Sequence, residues 1–157
     1  MYREFLYKND FTEIHSPKLL GGTSEGGANV FRLKYFGQDC CLAQSPQLYK
    51  QMALCGDFER VFEIGPVFRA ENSNTNRHLC EFTGLDMEMV FKDHYFEVLD
   101  MLSDLLTYIF KNLEERFARE LEIINAQYPF EPFKCVSPAI KLHFKEGCAM
   151  LKEAGIE

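Results

Sequence analysis

Apolar and polar positions alternate along this chain at two periods, and the change of period divides it. Over residues 61–91 the period is two, as in β-strands, whose successive side chains point to opposite faces. Val61, Glu63, Gly65, Val67 and Arg69 fall on one face of a first predicted strand. Phe82, Gly84, Asp86 and Glu88 fall on one face of a second. Its other face carries Leu85, Met87, Met89 and Phe91 and is expected to meet a core. A polar loop over residues 71–80 joins the two strands. Over residues 96–121 the spacing becomes three to four, through Phe96, Leu99, Leu102, Leu106, Ile109, Phe110, Leu113 and Phe117. That predicts one long helix with a core-facing stripe and a solvated back.

Shorter elements precede and follow these. Residues 2–8 predict a helix, and residues 11–15 a strand that Ser16 and Pro17 terminate. Residues 30–36 and 39–43 predict a hairpin turning at Gly37 and Gln38. A helix follows, with Ser45 as N-cap and Pro46 at its first position. Its apolar stripe is Leu48, Met52 and Cys55; Gln47, Lys50 and Gln51 share another face. Residues 128–138 hold three prolines and predict an irregular connection. A last helix over residues 145–153 is expected to stop before Gly155.

Composition narrows the functions open to the chain. Its 157 residues suffice for one core, and its net charge is −7. That balance excludes a generally basic nucleic-acid surface, though not a local contact. Six cysteines stand at positions 40, 41, 55, 80, 135 and 148, with no CxxC pair. They read as reduced thiols of a cytosolic protein, and neither a zinc site nor a disulfide framework is expected. No apolar run is long enough to span a membrane, and no signal peptide is visible at Met1. The opening residues resemble the tail of a helix, so the chain is expected to be a fragment.

Candidate chemistry concentrates in three places. The 71–80 loop carries Glu71, Arg77 and His78, and Arg69 precedes it. Arginine can grip phosphate oxygens with two parallel hydrogen bonds, which lysine cannot. The Phe82 ring could stack on a base or pack in a core, and Arg69 could serve a nucleotide or an ion pair with Glu63 or Glu88. Together they suggest a nucleoside triphosphate held on a sheet. Gln47 and Lys50, one helical turn apart, could grip a small carboxylate or be a solvated face. Residues 20–28, with four glycines, Ser24 and Glu25, form either a connecting loop or a lid over a ligand. The loop lacks the Gly-Lys-Ser/Thr ending of a P-loop.

These residues resemble a known family. Phe68-Arg69-Ala70-Glu71, Arg77-His78-Leu79 and Glu81-Phe82-Thr83-Gly84-Leu85-Asp86 look like motif 2 of the class II aminoacyl-tRNA synthetases. The segment from Gln44 to Gln51, Gln-Ser-Pro-Gln-Leu-Tyr-Lys-Gln, resembles the amino-acid-binding segment of their aspartyl branch, in its eukaryotic or archaeal form. The Gly-Gly-Thr-Ser-Glu-Gly-Gly-Ala stretch resembles that branch's flipping loop, and residues 11–19 resemble the end of motif 1.

The resemblance implies an α+β fold, a mostly antiparallel sheet flanked by helices, and part of a catalytic domain. Motif 3 and the anticodon-binding domain would lie outside residues 1–157. It implies aspartate–tRNA ligase activity: ATP-dependent adenylation of L-aspartate, then transfer to tRNA(Asp). Arg69 would act on the α-phosphate and the substrate carboxylate. Ala70, Glu71, Arg77, His78, Leu79 and Phe82 would complete the ATP site. Ser24, Glu25, Gln47, Lys50 and Asp86 would join Arg69 around aspartate. Magnesium would assist, with its ligands outside this chain. The parent would be a cytoplasmic homodimer, not membrane-bound, and this chain by itself inactive or nearly so. An asparaginyl-tRNA synthetase or asparagine synthetase-like paralogue, or a non-catalytic ligand-binding or dimerising fragment, is the alternative. Lys50 would favour aspartate over asparagine, because a buried cation left without a carboxylate costs on the order of 3–5 kcal/mol.

Overall fold

The computed structural model describes residues 1–23, 29–73 and 75–156. In chain order its elements are α1 (Tyr2–Lys8), β1 (Thr12–Glu13), β2 (Leu19–Leu20), β3 (Arg32–Tyr35) and β4 (Gln38–Leu42). Then come α2 (Gln47–Cys55), β5 (Arg60–Phe68), β6 (Glu81–Met89), α3 (Phe96–Arg116), α4 (Ala118–Gln127) and α5 (Phe144–Glu153). The chain divides into two compact units, residues 3–94 and residues 95–157 with the first two residues.

The first unit holds the sheets. One has the order β1-β5-β6, with β1 parallel to β5 and β5 antiparallel to β6. The other has the order β2-β4-β3 and is antiparallel throughout. This is the α+β, mostly antiparallel class expected, with two three-stranded sheets among the described residues. Backbone bonds tie the end of β5 to its surroundings: Phe68 N–H donates to Ala43 O, and Arg69 N–H to Cys80 O, each at 3.0 Å. Buried side chains include Leu6, Phe11, Val61, Phe62 and Val67, and a smaller cluster of Leu20, Cys41 and Ala43 with Val30 and Tyr49 beside it. Arg3 and Tyr7 of α1 both donate to the Glu13 carboxylate, at 2.9 and 2.6 Å, and so fasten α1 to β1.

Four expectations are corrected here. The turn between β3 and β4 sits at Phe36 and Gly37, with φ of 48° and 79°, one residue earlier than expected. Two successive positive φ values match the twist of a two-residue hairpin, so the turn claims Phe36 despite its Cβ. Pro46, not Ser45, occupies the N-cap of α2, though Ser45 Oγ still accepts the Gln47 N–H at 3.2 Å. The Leu48–Met52 stripe of α2 is exposed, and Lys50 is the buried residue. Helical spacing finds a stripe; the partners waiting on the other side of α2 decide which one turns in. On β6 and just past it, Leu85 and Phe91 are about half exposed and Met87 and Met89 only partly buried. An apolar face need not be a covered one.

In the second unit the long helix expected over residues 96–121 is two helices. Phe117 leaves the helical region, at φ −122° and ψ 27°, and α4 runs on to Gln127. The stripe expected to be core is largely open: Leu99, Leu102, Leu106 and Phe117 are exposed, and Leu105 is the buried residue of α3. The connection over residues 128–138 is irregular, as expected, and Phe133 packs its ring 5.0 Å from that of Phe110. Gly155 follows α5 at φ 73°, the left-handed conformation that glycine adopts without strain.

Candidate active site

The register of β5 against β6 builds the site. Val61 pairs with Glu88, Glu63 with Asp86, Gly65 with Gly84 and Val67 with Phe82. The two expected faces therefore coincide, and their charges, glycines and one aromatic share a side. Beyond β5, Arg69 turns back so that its guanidinium carbon lies 5.4 Å from the centroid of the Phe82 ring. Its Nε points to Gln44 O at 3.5 Å. Neither Glu63 nor Glu88 pairs with Arg69, because lysines hold both.

A cavity of about 400 Å³ opens beside this cation–ring pair, lined by Arg69, Glu71, Arg77, His78, Leu79 and Phe82. Every residue expected at a nucleotide lines it except Ala70, whose N–H instead bonds to Asn29 O at 3.0 Å. Within the loop, Thr75 Oγ1 lies 2.6 Å from His78 Nδ1 and accepts the Arg77 N–H at 3.3 Å. That short turn presents Arg77 and His78 side by side at the cavity rim. Chemically, two guanidinium groups, an imidazole and a flat ring around one opening suit a polyanion with an aromatic end.

The second cluster centres on Lys50, 3% exposed. Its ammonium lies 3.1 Å from Asp86 Oδ1 and 3.3 Å from Glu88 Oε2. Gln47 Nε2 reaches Glu88 Oε1 at 3.5 Å. Helix α2 and strand β6 thus bring together Gln47, Lys50 and Asp86, as expected, and add Glu88. Glu88 had been visible as a member of the site face, but its reach to a lysine 38 positions earlier carries no local signal. The premise that an empty site leaves Lys50 without a carboxylate is overturned: two acids already hold it. Ser24 and Glu25 lie outside the described residues.

Residues 1–153 match the family described as tRNA synthetases class II (D, K and N), and the chain belongs to that class II aminoacyl-tRNA synthetase family. Within it the similarity is to the aspartate enzymes. The chain is 62% identical over 153 residues to a cytoplasmic aspartate–tRNA ligase of Dictyostelium discoideum, covering 98% of this chain and 27% of that protein. It is 55% identical over its full length to the cytoplasmic aspartate–tRNA ligase of Homo sapiens, covering 31% of that protein. Among solved structures, the aspartyl-tRNA synthetase of Entamoeba histolytica matches with a TM-score of 0.79 at 48% identity, over 99% of this chain and 28% of that one. An asparaginyl-tRNA synthetase of Pyrococcus horikoshii, complexed with asparaginyl-adenylate, also gives 0.79 but at 33% identity, over 99% of this chain and 35% of that one. The backbone is shared across both branches; the side chains lean to aspartate. The chain spans under a third of the length of these curated relatives.

Proposed function

We propose that this chain is the ATP- and aspartate-binding part of a cytoplasmic, homodimeric aspartate–tRNA ligase. The observation that carries the reading is the Arg69–Phe82 pair at the rim of one cavity, with the Lys50 cluster on the same hairpin. Phe82 takes the adenine ring, and Arg69 the α-phosphate together with the reacting carboxylate. Arg77 and His78 take the outer phosphates. Ala70 and Leu79 border this nucleotide site, and Glu71 sits where the adenine side meets the incoming tRNA(Asp) end. Gln47 and Lys50 take the side-chain carboxylate of L-aspartate, and Asp86 its ammonium, with Ser24 and Glu25 contributing from the glycine-rich stretch.

The reaction needs no nucleophile from the protein. An aspartate carboxylate oxygen bonds to the α-phosphorus, the bond to the bridging oxygen breaks, and pyrophosphate leaves. The tRNA terminal hydroxyl then attacks the activated carbonyl and AMP leaves. What the residues supply is alignment and charge already in place. Among the described residues no group of three or more His, Cys, Asp or Glu side chains is arranged to hold a metal ion. Magnesium, when bound, would be held chiefly by the phosphates and would relieve their charge. Among the described residues no helix is long and apolar enough to cross a membrane.

The test is exchange of labelled pyrophosphate into ATP, run on the 157-residue chain and on the product of the complete reading frame that encodes it. L-aspartate is expected to drive exchange in the complete product, and L-asparagine and L-lysine are not; the chain by itself is expected to give little. Exchange driven by asparagine would overturn the substrate assignment.

A further inference from the structure

A second lysine–carboxylate pair stands beside the Lys50 cluster, on the same face of the hairpin. Glu63 is 2% exposed. Its carboxylate accepts the Ser16 N–H at 3.0 Å and the Lys18 ammonium. Lys18 also donates to Ser16 Oγ at 3.0 Å. Because Glu63 is the register partner of Asp86, two carboxylates face each other across adjacent strands. Like charges directly opposite are destabilising unless each is neutralised.

Both carboxylates lean over the glycine pair next to them. A Cβ at Gly65 would stand 2.8 Å from Glu63 Oε1 and 3.4 Å from Lys18 Nζ. A Cβ at Gly84 would stand 3.0 Å from Asp86 Oδ2. The two glycines cede their side-chain space to two acids, and each acid has its own lysine: Lys18 for Glu63, Lys50 for Asp86.

We propose that Lys18 is a positioning residue for Lys50. It holds Glu63 and so keeps a third carboxylate from drawing on the ammonium that Asp86 and Glu88 share. For the ligand, this rests on the reading of the Lys50 cluster as the aspartate subsite: with Lys18 in place, Lys50 keeps capacity for an incoming carboxylate. Without it, Glu63 adds a buried negative charge opposite Asp86, and an anionic side chain is repelled.

The experiment follows the Lys50 ammonium resonance by nuclear magnetic resonance in the isotope-labelled 157-residue chain, with L-aspartate binding measured by calorimetry on the product of the complete reading frame that encodes it. Lys18→Met is expected to shift or broaden the Lys50 resonance. It should also weaken aspartate binding roughly tenfold, which is about 1.4 kcal/mol. The double variant Lys18→Met/Glu63→Gln, which removes both charges, is expected to restore both readings. A Lys50 resonance unmoved by Lys18→Met overturns the proposal whatever aspartate does. Loss of the folded spectrum in both the single and the double variant marks the pair as purely structural and overturns it too. The expected Lys50 response beside unchanged aspartate binding by the complete product upholds the positioning of Lys50 and removes the subsite assignment instead.

Discussion

The Arg69 guanidinium faces the Phe82 ring at 5.4 Å, although a loop separates the two in sequence. The contact is a cation–π pair at the mouth of a cavity, so ring and charge are held ready at fixed separation. For a nucleotide the two should contribute separately. Phe82→Leu is expected to weaken ATP binding by roughly tenfold to a hundredfold, the span of one lost stacking contact. Tripolyphosphate, which has no ring, should bind the variant as it binds the parent. Arg69→Gln should weaken both ligands. Competition calorimetry with ATP and tripolyphosphate separates these outcomes.

Lys50 bridges Asp86 and Glu88. Lys50→Met leaves two largely buried carboxylates on one strand face without it. The expected loss is on the order of 3 kcal/mol of stability, together with aspartate binding. Urea unfolding checks the first and calorimetry the second. Glu88→Gln should be milder, because Asp86 still holds the lysine.

Gly84 has no room for a side chain. A Cβ there would approach Val67 Cγ2 to 2.9 Å as well as Asp86. Gly84→Ala is expected to cost about 1–3 kcal/mol through overpacking and to displace Asp86, weakening aspartate binding more than ATP binding. Gly21→Ala adds a carbon that meets nothing within 4 Å and should leave stability unchanged. Equal tolerance of both substitutions would contradict this account of the glycine pair.

Glu13 sets an acid limit on the first unit. Its hydrogen bonds from Arg3 and then Tyr7 hold its carboxyl down from 4.5 to about 2. The folded state thus binds this proton more weakly than the unfolded chain does. Glu13 contributes stability fully above pH of about 4.5 and loses it as pH falls toward about 2. Glu13→Gln should flatten the pH dependence of the urea midpoint across that window and leave the slope above it unchanged.

Much of the site could be read without coordinates, and the reason is geometric. A strand has period two, so once residues 61–91 are read as two strands, Glu63, Gly65, Phe82, Gly84, Asp86 and Glu88 are sorted onto faces by counting alone. The motif around Arg69, His78 and Phe82 is likewise contiguous enough to recognise. Ser45, Leu48 and Phe36 show where counting stops. The buried side of α2 shifted because its deciding partners, Asp86 and Glu88, lay elsewhere in the chain, and the turn moved because hairpin twist outweighed the preference for glycine.

Local order in the chain therefore determined most of the elements, the faces of the hairpin and the family they belong to. Tertiary structure alone decided that Gly65 lies opposite Gly84, that Lys50 turns inward against two acids 36 and 38 positions away, and that Lys18 holds Glu63. Periodicity acts between neighbours in sequence, whereas register and ion pairing are settled by whichever charges meet once desolvation makes an unpaired one too costly to bury.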